Sequence, residues 1–443
     1  MSSGLIDAFR LFYHRKFHTI EQIRYYQEKQ LRRLIDLSVK ESSFYRERFS
    51  AFIPRTLEDL SLVAPINKEI MMANFDRLNT IGVKLEDVKA FAVQKELAKD
   101  YLGYYQDRVV VGLSSGTSGN KGVYLTPKEL TKKLPFVFLA RGGIPLRHLP
   151  FRILFCLRVF GQGFDDINSP LVHLHYCATM TPVDEIIDQL NSKRINILMA
   201  PPSLLRILLP HKDKIKVKFK QIVCYAEVLE KEEKERFRRA FRTNVVEIYQ
   251  ASEGQIASAC SHGNLHINED LVIVELTDEQ GNKIEKPGEL ARHMYVTNLV
   301  NTAQPLIRYE MNDLVVLGEK CACGSRFRTI DRILGRNDDV LYFVTLDDRR
   351  IPVFPDLISR WIITATDDIR EYQVHQTKDG DMEIKIETLP DADEDPMTIA
   401  SKVKQRVEDE LREFNIRCEV VVTMTILPLP EDRSKYKRFI VKK

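Results

Sequence analysis

The sequence predicts an α/β protein in two parts: a large N-terminal region over residues 1–334, built of α/β layers plus a β-rich subdomain, and a small α+β unit over residues 335–443. Three observations carry this. Between residues 152 and 225, four short apolar runs alternate with helix-like stretches, the pattern of a largely parallel sheet covered by helices. After about Tyr249 the texture changes to strand-like runs separated by turn residues. From Gly335 onward a fresh pattern of helices and strands begins, about 100 residues long, an ordinary domain size.

A chain of 443 residues has length enough for two or three domains. Hydrophobic residues at 44% and charged residues at 29% match globular averages and exclude disordered, collagen-like and fibrous classes. Lys and Arg number 66 against 63 acidic residues, too even a balance for a dedicated nucleic-acid surface. No apolar run approaches the roughly 20 residues of a spanning helix. Seven Cys, odd in number and irregular in spacing, fit a reducing compartment, so a cytoplasmic location is expected.

Residues 1–17 mix Asp7, Arg10, His14, Arg15 and Lys16 among apolar side chains, and read as an amphipathic helix packed on its own domain rather than a signal peptide or a membrane-surface helix. Residues 19–49 lack Pro and Gly and place Ile20, Ile23, Leu31, Leu34, Ile35 and Val39 near helical spacing, which predicts one or two helices. A further helix is expected over 67–78, capped by Asn67 but with Ile70 where a capping box has Glu. The triple Val within 109–113 reads as a buried strand. Strands follow at 152–159, 171–175, 195–200 and 221–225, with helices at 182–192 and 203–209 between them. The β-rich texture rests on 271–276, 290–298, 313–317 and 340–344. In the last part, helices at 355–363 and 395–414 flank strands at 382–387 and 418–426.

Chemistry concentrates first in Ser114-Ser115-Gly116-Thr117-Ser118-Gly119-Asn120-Lys121-Gly122, directly after the triple-Val strand. Glycines let backbone N–H groups approach an anion, hydroxyls donate further hydrogen bonds and a Lys adds a point charge, so the composition is that of a phosphate cradle. It is not the Walker pattern, because Gly122 follows Lys121 and the glycines miss the GxxxxGK spacing.

This loop resembles the phosphate-binding signature of the adenylate-forming (AMP-binding) acyl ligases, and further segments resemble that superfamily's motifs in order. Tyr249-Gln250-Ala251-Ser252-Glu253-Gly254 is similar to its Tyr-Gly-x-Thr-Glu segment. Pro305-Leu306-Ile307-Arg308-Tyr309 through Asp313 is similar to the segment whose Asp binds ribose. Gly335-Arg336-Asn337-Asp338-Asp339 resembles the hinge motif, and Lys435-Tyr436-Lys437-Arg438 the terminal Lys-x-x-Arg. Gln-x-x-x-Leu and Ser-x-Phe-Tyr elements between Gln27 and Tyr45, the stretch 65–68 and the stretch 260–275 place the resemblance in the branch of phenylacetate-CoA ligases and deazaflavin-adenylylating synthetases.

The resemblance implies roles. Ser114, Ser115, Gly116, Thr117, Ser118, Gly119 and Lys121 would hold the phosphates of ATP, and Ser252 would contact the α-phosphate or the acyl carboxylate. Glu253 would coordinate Mg²⁺, a hard ion that takes oxygen ligands. Tyr249 would lie against adenine, the backbone at Ala226 and Glu227 would line the base, Asp313 would accept from the ribose hydroxyls and Arg336 would assist. Lys435 would enter from a mobile C-terminal lid that swings about a hinge at 336–339 to bridge carboxylate and phosphate. Departures are Gln250 for Gly, Ser252 for Thr and Ser434 for the Gly before the Lys, with Lys437 a competing lid lysine.

The implied function is ATP-dependent activation of a carboxylic acid, aromatic if the branch is a guide, followed by transfer to the thiol of CoA or of a carrier protein's phosphopantetheine. Alternatives are a synthetase that leaves AMP on a hydroxyl of a small molecule or cofactor, and a non-catalytic nucleotide-binding relative. A homodimer is compatible with the branch.

A second constellation is Cys260 and His266, with His262 as the lesser choice, followed by Cys321-Ala322-Cys323-Gly324. Three thiolates and an imidazole can build a closed tetrahedral Zn²⁺ site, against the alternative of reduced thiols and an ordinary His. Such a site would staple the β-rich subdomain and take no part in catalysis.

Overall fold

The computed structural model describes residues 3–97, 103–113, 122–142, 144, 148–157, 168–169, 172–178, 181–378, 380–390, 392–427 and 437–441. Among them an eleven-stranded mixed sheet forms the spine of the N-terminal region. Val172–Ala178, Phe151–Leu157, Ile197–Ala200, Gln221–Tyr225 and Val245–Ala251 lie side by side in parallel. The central runs Ile197–Ala200 and Gln221–Tyr225 are buried on both faces, as in sheets covered by helices. Val183–Ser192, Pro202–Leu208 and Lys231–Phe241 supply one cover, packing Ile187, Leu205 and Phe237 against Leu154 and Cys224.

Past Val245–Ala251 the sheet turns antiparallel, because the next strand, Gly254–Ala259, follows after two residues with no crossover helix. Leu265–Ile267, Thr329–Arg336, Asp313–Leu317 and Leu290–Ala291 extend it on this side, and the short Asn168–Ser169, antiparallel to Val172–Ala178, closes the other edge. A separate antiparallel sheet of Val272–Thr277, His293–Asn298 and Tyr309–Met311 packs its apolar face onto the helix Ile20–Glu41.

From Leu341 onward the side chains build their own apolar cluster around Trp361, Tyr372 and Ile384. The helices Pro355–Ile363 and Pro396–Glu413 cover a four-stranded sheet in the order Val420–Met424, Met382–Thr388, Ile369–Gln376, Phe439–Val441. The strands Ile369–Gln376 and Phe439–Val441 were not expected, since Arg370, Glu371 and Gln373 break any clean apolar run in the first and the second is very short.

Four expectations change. Val109–Leu113 is a strand but only its first residue is buried; it pairs with Val123–Pro127 in a two-stranded ribbon and does not join the main sheet. The helix expected over 67–78 is two, Lys68–Ala73 and Phe75–Leu78, interrupted where the Asn74 side chain donates to the Ile70 carbonyl at 2.9 Å. Leu341–Thr345 pairs with Arg350–Val353 and Ile416–Arg417, and so sits with the C-terminal unit rather than the β-rich subdomain.

The first helix, Ser3–Phe17, inverts its expected amphipathicity. His14 and Arg15 are buried, whereas Ile6, Phe9, Tyr13 and Phe17 stand about half exposed or more. The reason is polar: His14 Nδ1 meets Asp270 Oδ2 at 3.2 Å and Arg15 donates to the Ser258 carbonyl at 2.8 Å. Among the described residues no helix is long and apolar enough to cross a membrane.

Candidate functional site

The turn joining Val245–Ala251 to Gly254–Ala259 is two residues long, because Ala251 and Gly254 face each other across the ladder. That geometry puts Ser252 and Glu253 together at a hairpin tip. The tip projects into a cleft of about 2290 Å³ between the N-terminal region and the C-terminal unit, lined by Tyr249, Ser252, Glu253, Ala226, Glu227, Asp313 and Arg336. Glu253 accepts from the Tyr124 hydroxyl at 2.8 Å, which itself meets the Tyr309 hydroxyl at 3.1 Å. Asn298 donates to the Glu253 carbonyl at 2.7 Å and fixes the turn. Burial raises the Glu253 carboxyl above its usual range, outweighing the Tyr124 bond and the charge of Arg336, and a carboxylate oxygen is the kind of ligand a hard cation takes.

Asp313 opens the strand Asp313–Leu317 and faces Arg336 across the ladder. One of its oxygens accepts from the Tyr249 hydroxyl at 2.5 Å. Burial and the neighbouring Asp313 push the Tyr249 phenol well above its usual range, so it remains a donor at neutral pH. The segment before Asp313 is anchored from afar: the Tyr45 hydroxyl donates to the Pro305 carbonyl at 2.8 Å and accepts from the Ile307 amide at 3.4 Å. The Ser-x-Phe-Tyr element thus serves to seat this segment.

After Arg336 the chain makes a single 3₁₀ turn, Asn337–Asp339. Asn312 donates to Asp338 at 2.7 Å, and Lys437 pairs with Asp339 at 3.5 Å. Lys437 is therefore engaged at the expected hinge.

On the opposite wall Ala226 adopts a left-handed backbone, φ 68°, just past the strand Gln221–Tyr225. The Glu227 carboxylate is locked by the Ser203 amide at 2.9 Å and the Ser203 hydroxyl at 2.6 Å. The rings of Phe138, Phe155 and Tyr225, which also line the cleft, form an edge-to-face row with centroids 5.6 and 5.4 Å apart.

A second site lies in the β-rich subdomain. The ligand atoms of Cys260, His266, Cys321 and Cys323 lie within 4.8 Å of one another. Cys260 Sγ and Cys321 Sγ are 3.6 Å apart, and Cys323 Sγ and His266 Nε2 3.4 Å. Tetrahedral Zn²⁺ with Zn–S of about 2.3 Å and Zn–N of about 2.0 Å requires separations of roughly 3.8 and 3.5 Å. His266 Nδ1 bonds the Phe327 carbonyl at 2.9 Å, leaving Nε2 toward the sulfurs, and burial together with Arg15 brings its pKa down to about 4. Backbone amides of His262 and Cys323 and the Asn264 side chain point at the sulfurs at 3.3, 3.4 and 3.1 Å. His262 itself stays at the surface.

Of the expected site residues, Tyr249, Ser252, Glu253, Asp313, Arg336, Ala226 and Glu227 meet in one cleft, and the four expected metal ligands meet elsewhere. Ser114, Ser115, Gly116, Thr117, Ser118, Gly119, Lys121 and Lys435 lie outside the described residues. Reading the sequence missed Tyr124, Tyr309 as the partner of Tyr124, Asn298, and Arg206, which contacts Glu227 at 3.5 Å. Two of these had a local signal: Tyr124 is the second residue of the strand after the Gly-rich loop, and Tyr309 ends the Pro305–Tyr309 segment.

No known protein-family model matches the chain. Over 126 residues it is 29% identical to the phenylacetate-coenzyme A ligase of Thermus thermophilus, a match spanning 28% of this chain and 27% of that ligase, so the sequence similarity extends over about a quarter of the curated relative. In structure it resembles 2-hydroxyisobutyryl-CoA ligase in the postadenylation state in complex with 2-HIB-AMP, at a TM-score of 0.72 and 16% identity, over 97% of this chain and 92% of that one. The same ligase in complex with 2-HIB-AMP and CoA in the thioesterification state superposes at 0.60 and 15% identity, over 97% and 91%. The chain shares the fold of 2-hydroxyisobutyryl-CoA ligase along nearly its whole length.

Proposed function

We propose that this chain is an AMP-forming acid–thiol ligase. A carboxylate oxygen attacks the α-phosphorus of ATP, the bond to the β-phosphate oxygen breaks and pyrophosphate leaves. A thiol sulfur then attacks the acyl carbon, the acyl–AMP bond breaks, and AMP departs as the thiol proton is released. The observation that carries the reading is the meeting of Glu253, Ser252, Tyr249, Asp313 and Arg336, remote in sequence, around one cleft in this fold.

The first step joins two anions, so catalysis asks for positioning and positive charge more than for a base. Asp313 would accept from the ribose, and Tyr249 holds that carboxylate in place. Tyr124 and Asn298 orient Glu253, which would hold Mg²⁺; the bound cation would neutralise phosphate charge. The loop 114–122 would cradle the β- and γ-phosphates. Lys437 is occupied by Asp339, which favours Lys435 as the lid lysine. The edge-to-face aromatic row Phe138, Phe155, Tyr225 lines the cleft with apolar ring surface that suits an aryl acid. CoA is the acceptor we favour over a carrier protein, and the seven free cysteines fit a cytoplasmic setting.

The division into a core over 1–334 and a lid over 335–443 hinged at 336–339 belongs to the same proposal, supported by the separate apolar cluster from Leu341 onward. So does a structural Zn²⁺ on Cys260, His266, Cys321 and Cys323, supported by separations near those of a tetrahedral site.

The test is acid-dependent exchange of labelled pyrophosphate into ATP across a panel of aromatic and aliphatic acids. Exchange stimulated by one acid, and lowered about 100-fold or more in Glu253→Ala and Lys435→Ala, is the expected result. ATP binding with no exchange for any acid, and an AMP-modified small molecule in its place, would overturn it in favour of an adenylylating synthetase.

A further inference from the structure

We propose that Glu371 is a positioning residue for the adenylation half-reaction, holding the C-terminal unit on the nucleotide wall through Arg206 in a contact that parts without stranding charge. The kinetic consequence rests on the ligase reading above; the geometry does not. Arg206, on the helix Pro202–Leu208, is 5% exposed and reaches three carboxylates. Glu233 lies at 2.5 Å, Glu227 of the base wall at 3.5 Å, and Glu371, from the strand Ile369–Gln376, at 3.1 Å. The other oxygen of Glu371 is held by Arg438 at 2.8 Å, whose guanidinium sits 4.6 Å from the centre of the Tyr372 ring. Arg236 adds donations from the N-terminal region to the carbonyls of Asp367 and Ile369.

The distribution of charge across this seam is what marks it as separable. On one side stand Arg206, Glu233 and Glu227; on the other, Glu371 and Arg438. If the C-terminal unit moves away, Glu371 leaves with Arg438 and Arg206 keeps Glu233 and Glu227. No ion is left alone in an apolar place, the outcome that makes one-sided buried pairs hard to open. Burial works against ionisation of Glu371, but Arg206 and Arg438 outweigh it and hold its carboxyl below the usual range. The same nitrogen, Arg206 Nη2, contacts both Glu371 and Glu227. The cation that grips the C-terminal unit therefore also braces the base wall, so docking of that unit and order at the nucleotide wall are linked through one guanidinium.

Glu371→Gln in the full chain keeps shape and a hydrogen bond but removes the attraction. Tryptic cleavage after Arg336, at the hinge, is expected to quicken about fivefold, with a larger radius of gyration in X-ray scattering. Arg236→Ala, which leaves the charged cluster intact, is expected to quicken it further in combination. Acid-dependent pyrophosphate exchange should fall about tenfold, while transfer from a supplied acyl-adenylate to CoA stays the same or rises. Unchanged cleavage and scattering in a variant that melts like wild type would overturn the proposal. Absence of exchange in the wild type would overturn the ligase reading instead, and would leave the cleavage and scattering comparison intact as the test of the seam.

Discussion

Gly254 has little room for a side chain: a Cβ there would lie 3.2 Å from Asn298 Nδ2 and 3.3 Å from Val272 Cγ1. Asn298 is the residue that holds the Glu253 carbonyl, so pressure on it reaches the hairpin tip. Gly254→Ala is expected to cost about 1–3 kcal/mol, read from the urea midpoint, and to lower pyrophosphate exchange as well. At the thiol cluster the expected result is one zinc per chain by elemental analysis. Asn264→Ala, which removes only the donor to Cys321, should weaken the metal about tenfold in competition with a chromophoric chelator. Retention of zinc in Cys323→Ser would argue that the four residues are merely neighbours.

At the level of elements, the helix Ile20–Glu41 begins with a full capping box in which Thr19 and Gln22 exchange hydrogen bonds, and its buried stripe Ile23, Leu31, Leu34 and Ile35 follows the spacing read in the sequence. The helix before it does not follow that logic. Phe9 is 69% exposed and Phe17 59%, while the polar side bonds Asp270 and Ser258. Phe9→Ser and Phe17→Ser should therefore shift stability by less than about 0.5 kcal/mol in chemical denaturation. Periodicity could place an apolar stripe on this helix but could not tell which side faced the protein. That was decided by Asp270, whose neighbour Arg141 also comes from a distant helix.

For the whole molecule, the seam between the two parts carries a pH signature. Burial, with Asp356 and Glu233 nearby, holds the Glu230 carboxyl well above its ordinary value of 4.5. The folded chain keeps a proton there that the unfolded chain releases above that pH, so this group lowers stability as pH rises through about 4.5 and beyond. Glu230→Gln is expected to raise the urea midpoint at neutral pH and to leave it unchanged in acid below that value; equal effects at both would show that Glu230 titrates as an ordinary surface carboxylate.

The sequence by itself determined the alternation that builds the parallel sheet, the position of the β-rich region, and which short segments meet at the cleft and at the thiol cluster. These are local properties: aliphatic runs such as Gln221–Tyr225, the Tyr249–Gly254 segment with its adjacent hydroxyl and carboxylate, and a Cys and His followed by a Cys-x-Cys pair. Only the tertiary structure decided that Val109–Leu113 pairs as a separate ribbon, that Tyr124 and Asn298 serve Glu253, and that Arg206 joins Glu227 to Glu371. The physical reason is range. Periodicity and turn chemistry act over a few residues, whereas those contacts link positions 129, 45 and 165 residues apart in the chain, and only the packing of whole sheets against one another brings such side chains within hydrogen-bond distance.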